Sequence, residues 1–177
     1  MPITIENIGQ ALSVIGMILT ILSFQFKTKK QILLFQTAGS TFFLISYILL
    51  GSYAAVYLNI VFLARNIIFY FREDKKWAQS KAWLVALLVA VMLAGSIGYR
   101  TAWDIIPIVG SVFGTLAAYM KNENMFRLFK LGDSPCWLLY NASIPSLGGT
   151  VCEVFNIISI TVGLIRYRKK GFGIKEI

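Results

Sequence analysis

The side chains in this sequence that could do chemistry are amides, one carboxylate and aromatic rings, all set within apolar stretches. Asn59, Arg65 and Asn66 share one stretch, and Asn141, Glu153 and Asn156 fall in two others. Such groups are expensive in a bilayer and normally face the interior of a helix bundle. Glu153 is the sharpest of them. A carboxylate at that depth must be protonated, paired or hydrated. It reads either as a ligand-contacting or proton-coupling group, or as a structural carboxyl satisfied by Asn59 or a neighbouring amide. Arg65 lies about 9 Å deeper than Asn59 at the helical rise. It reads as a side chain that snorkels inward or meets a lipid headgroup. Phe43 and Trp137 lie mid-stretch and could stack on a flat or sugar-like ligand, the ordinary alternative being core packing. Asn141 and Asn156 are candidate pathway or gate residues.

Other chemistries are missing from the sequence. There is no histidine, which removes the usual general base and the commonest metal ligand. No paired intramembrane carboxylates, Gly-rich phosphate loop or nucleophile with an evident base appears, so no enzyme, metal or cofactor is expected. Cys136 and Cys152 fall in apolar segments and read as buried thiols. The chain is 57% hydrophobic and 14% charged, with a mean hydropathy of +0.70. A soluble domain carries about 25% charged residues. The net charge of +9 therefore reads as the cytoplasmic bias of a membrane protein, not as a nucleic-acid surface.

Seven segments could carry these residues across a bilayer, roughly 5–26, 31–50, 53–71, 79–98, 103–120, 125–144 and 148–166. The sixth is interrupted by Arg127, Lys130 and Asp133, and Pro135 is expected to bend or divide it. With seven spans, 15 of the 17 basic residues fall on one side, leaving Arg65 within a span and Arg100 opposite. The expected protein is a multi-pass membrane protein, with its N-terminus outside and C-terminus cytoplasmic.

Residues 10–76 and 104–170 align without a gap, with 11 identities over 67 positions. Gly16 falls on Gly110, Phe43 on Trp137 and Asn59 on Glu153. Three helices, one helix and three helices then follow in order. The fold expected is all-α: two parallel triple-helix-bundle repeats (about 5–76 and 103–170), a linker helix (about 79–98) and a basic cytoplasmic tail (167–177), forming one membrane domain. Asn59 and Glu153 would face each other across a pseudo-twofold axis. Gly110 and Gly114 form a GxxxG that reads as close helix packing.

These residues carry a resemblance. Phe24-Gln25 closing the first span, then Phe43, Tyr47 and Asn59, resemble the PQ-loop pattern of the SWEET and SemiSWEET superfamily. So does Trp137-Leu138-Leu139-Tyr140 followed by Glu153. Phe43 to Asn59 and Trp137 to Glu153 are both sixteen residues apart, like the family's Trp-to-Asn interval. The whole chain is similar to the YgjV-type bacterial inner-membrane proteins, through Ser23-Phe24-Gln25, Leu50-Gly51 with Asn59, and the late Trp-Leu-x-Tyr. The resemblance implies alternating access, with Phe43, Asn59, Trp137 and Glu153 around a small-molecule substrate and Gln25, Tyr47 and Tyr140 as possible pathway or gate residues. The PQ proline is Phe24 here and Ala118 in the second copy, and Glu153 replaces an Asn, so a neutral sugar pocket is not preserved.

The functional expectation is a small-solute transporter or facilitator. The alternative is a non-transporting receptor or scaffold of the same fold, since fold does not fix function. Anionic lipid headgroups are expected at the basic face.

Overall fold

The structure, a computed structural model, describes residues 4–23, 29–72, 74–120 and 122–167. The described residues form seven α-helices and no strand. They are α1 (Ile5–Ser23), α2 (Lys29–Leu49), α3 (Tyr53–Tyr70), α4 (Ala82–Gly98), α5 (Ile105–Tyr119), α6 (Glu123–Ser143) and α7 (Leu147–Tyr167). Short 3-10 turns at Lys76–Gln79 and Ala102–Asp104 lead into α4 and α5. Gln25 and the basic residues Lys27, Lys121 and Arg168 to Lys175 lie outside the described residues.

Four segments are long and apolar enough to cross a membrane: Ile5–Ser23, Tyr53–Tyr70, Ala102–Tyr119 and Leu147–Ile165. The apolar runs of α2 (Leu33–Leu49) and α4 (Ala82–Gly98) are shorter. Each spans about 25 Å at the helical rise, against a hydrocarbon core of about 30 Å. In α6 the interruption is charge, not length. Pro135 does not divide the segment; the proline sits inside one continuous helix. Its ring removes one backbone donor but leaves the rest of the ladder, which neighbouring helices support.

Helix α1 packs along α2, α2 along α3, α3 on α5, α5 along α6, α6 along α7, and α7 returns to α1. The six form a closed ring, with α4 lying against α3 and α5. Large apolar side chains remain outward, including Ile18, Val89, Leu93 and Ile158. That surface suits lipid rather than water.

Close approaches recur at a spacing of 94 residues. A Cβ on Gly16 would lie 2.9 Å from the Gly39 carbonyl and 3.1 Å from the Phe43 ring. One on Gly110 would lie 3.2 Å from both the Asp133 carbonyl and the Trp137 ring. Glycine lets each backbone approach its neighbour at these points. The turns recur as well. The Ser52 amide donates to the Tyr47 carbonyl and the Ser146 amide to the Asn141 carbonyl, both at 2.9 Å. Gly51 and Pro145 occupy matching places in those turns, and Gly51 has a positive φ.

Candidate functional site

The turns between α2 and α3, α4 and α5, and α6 and α7 gather at the same end of the bundle as the start of α1. They enclose a vestibule of about 430 Å³, lined by Glu6, Ser52, Arg100, Thr101, Asp104 and Tyr140, among others. Its polar centre is Asp104. One carboxylate oxygen accepts the Arg100 and Thr101 amides at 2.8 and 2.7 Å, and the other accepts the Tyr140 hydroxyl at 3.0 Å. This knot fixes the entry to α5 and holds Tyr140 across the floor. The sequence signal for Asp104 is the capping spacing of Thr101 and Asp104.

Below that floor the candidate aromatics form a column. Tyr47 stacks on Phe43, with centroids 6.1 Å apart, and on Trp137 at 6.3 Å; Trp137 meets Tyr140 edge-on at 6.1 Å. The Tyr47 hydroxyl donates to Asn141 Oδ1 at 2.9 Å across the bundle. Phe43, Tyr47, Tyr140 and Asn141 are all buried. Replacing Tyr47 with Phe leaves Asn141 Oδ1 buried without its donor. A loss of about 1–2 kcal/mol is expected, read from reversible unfolding in mixed micelles, while Phe43→Leu leaves that hydrogen bond intact.

Asn59 and Glu153 each lie six residues into their helices, about 9 Å from the vestibule end. Asn59 is buried, and its Oδ1 has no partner. Glu153 is half-buried and accepts from Asn156 Nδ2 at 3.1 Å. Among the described residues no hydrogen bond joins Asn59 to Glu153. The contact that crosses the bundle between aligned positions is Tyr47 to Asn141 instead. Ser134 lies close to the Glu153 carboxylate, yet its hydroxyl lacks the geometry of a bond and is unpartnered.

Deeper still is a charged group that the sequence reading took only as an interruption of the sixth span. Lys130 and Asp133, one turn apart on α6, form an ion pair. Glu153 of α7 and Arg65 of α3 lie within electrostatic range of it. Gly114 makes room, since a Cβ there would lie 2.9–3.0 Å from the Asp133 carboxyl atoms. Arg65 is 6% exposed, its guanidinium lies 4.3 Å over the Phe62 ring, and its Nε has no acceptor. The expected contact with a lipid headgroup is therefore corrected: this arginine is buried inside the bundle, within electrostatic range of Asp133. Two signals could have revealed the cluster. One is the i,i+3 spacing of Lys130 and Asp133. The other is a size swap at aligned positions, where Thr20 meets Gly39 in one half and Gly114 meets Asp133 in the other.

Seven packed helices with an outward apolar surface, an inward polar column and a charged interior define a multi-helix membrane protein. The chain belongs to a family of bacterial inner membrane proteins, Imp-YgjV, whose pattern matches residues 7–171. It is also similar to "Inner membrane protein YgjV" of Escherichia coli (strain K12), with 24% identity over 175 residues, covering 93% of this chain and 88% of the relative. No solved structure gives a significant match.

Proposed function

We propose that the chain is a small-solute transporter or facilitator that works by alternating access between two parallel triple-helix bundles, α1–α3 and α5–α7, with α4 joining them. The recurring glycine contacts and turns support the duplication. So does the Tyr47–Asn141 bond, because equivalent residues of two halves touch only near the axis that relates them. The solute site lies around Phe43, Asn59, Trp137 and Glu153, with Ser134 and Asn156 beside it. Tyr47, Tyr140 and Asn141 close it from the vestibule. The vestibule faces the periplasm, the C-terminus is cytoplasmic, and the basic face meets anionic headgroups. On this reading no bond of the solute is made or broken.

The observation that carries the proposal is Asn59 Oδ1, a buried acceptor without a partner at the depth of a half-buried carboxylate. Buried polar atoms in a bilayer require a partner, and a hydrated polar solute supplies one. The test is flux of a labelled panel of sugars, amines and small organic acids into proteoliposomes. At least one solute is expected to enter faster than into protein-free vesicles. Trp137→Ala and Glu153→Gln are each expected to slow that flux by tenfold or more. A folded protein that moves nothing in the panel sinks the transport reading and leaves the scaffold reading.

A further inference from the structure

Arg65 is more than nine-tenths buried, and its Nε has no acceptor among the described residues. A guanidinium has five donors, and leaving them without acceptors in a low-dielectric interior is costly. Its contacts here are the face of Phe62 and the longer-range field of Asp133. Asp133 is already engaged, because it is paired with Lys130 on its own helix. Among the described residues no carboxylate forms an ion pair with Arg65, whose charge is answered only through the longer-range field of Asp133. Glu153 is bonded to Asn156 and is not placed against Arg65.

We propose that Arg65 anchors an anion site, and that the solute carried by this protein bears a carboxylate or phosphate group. The inference rests on the transport reading above and gives that site its substrate class. A planar fork of N–H donors matches a carboxylate or phosphate oxygen pair, and a buried cation with open donors selects against neutral sugars and amines. Asn59, Ser134 and the aromatic column then contact the uncharged part of the solute. The same anionic chemistry could come from a lipid phosphate, so the experiment separates the two sources.

The full-length protein is placed in nanodiscs of phosphatidylcholine alone, and its thermal unfolding midpoint is followed. Sodium acetate and inorganic phosphate serve as probes, with sodium chloride at matched ionic strength and glucose as controls. A saturable upward shift with acetate or phosphate, absent with chloride and glucose, is expected. Arg65→Met should abolish the shift, and Arg65→Lys, which keeps the charge without the fork, should weaken the apparent affinity at least tenfold. If Arg65→Met does not fold, the Arg65→Lys comparison alone decides. No anion-specific shift in the unaltered protein, or a shift unchanged in both variants, overturns the proposal. A second set of nanodiscs contains phosphatidylglycerol. Stabilisation by that lipid, with loss of the acetate response and the same Arg65 dependence, assigns the anion site to a headgroup and overturns the solute assignment. Anion binding without flux would sink transport alone. Flux of a neutral sugar without anion binding would sink this inference alone.

Discussion

Lys130→Met is expected to destabilise the protein by about 3–5 kcal/mol, because it leaves the Asp133 carboxylate buried without its partner. The double variant Lys130→Met with Asp133→Leu is expected to regain most of that loss. Breaking a buried pair is costly, whereas replacing both ions with apolar groups of similar size is often neutral. Reversible unfolding in mixed micelles, arranged as a double-mutant cycle, measures the difference. Equal loss in the single and double variants would show that Lys130 packs α6 through its aliphatic stem and not through its charge. The cycle also separates stability from transport. A stable double variant that no longer moves solute would place the pair in the mechanism as well as in the fold.

Gly148→Val is expected to have a comparable or larger effect, about 3 kcal/mol or more, by forcing α7 away from α1. A Cβ on Gly148 would overlap the backbone of Ser13, and backbone cannot step aside as a side chain can. The Gly148 amide also donates to Ser13 Oγ at 3.0 Å, a bond that any separation breaks. The contact between α1 and α7 joins the two proposed bundles, so the substitution attacks their interface and not either bundle alone. The predicted signature is loss of the folded species in size-exclusion chromatography. Gly51→Ala serves as the control: an added Cβ there meets no neighbouring atom, and its cost is confined to the turn's positive φ. A Gly148→Val protein as stable as the parent would contradict the α1–α7 packing described above.

The helices were legible in the sequence because apolar runs of fixed length are a one-dimensional signal. All seven α-helices lie within a few residues of the stretches read from hydropathy. The site was legible in part. Tyr47, Phe43, Trp137 and Asn141 do come together, since the alignment of the two halves places them at one depth. Asn59 and Glu153 share a depth too, but depth does not give azimuth. A rotation of about 100° per residue decides which neighbour a side chain meets, and the alignment alone does not fix that. Asn156, on the same helix as Glu153 and one turn away, is its partner. Arg65 and the Lys130–Asp133 pair were misread for a related reason. Charge within an apolar run looks like an interruption until the facing helix is known, and here the facing helix supplies Gly114.

The polarity of α6 has a consequence for how the protein is made. Arg127, Lys130 and Asp133 lie on its first three turns, and each charged residue near a helix centre costs about 2.5–3.5 kcal/mol on partition from the translocon into lipid. A helix so composed does not partition alone. Its entry into the bilayer is expected to depend on α5 and α7, which pack along it. The ion cluster that specifies the interior is thus expected to couple the insertion of these three helices.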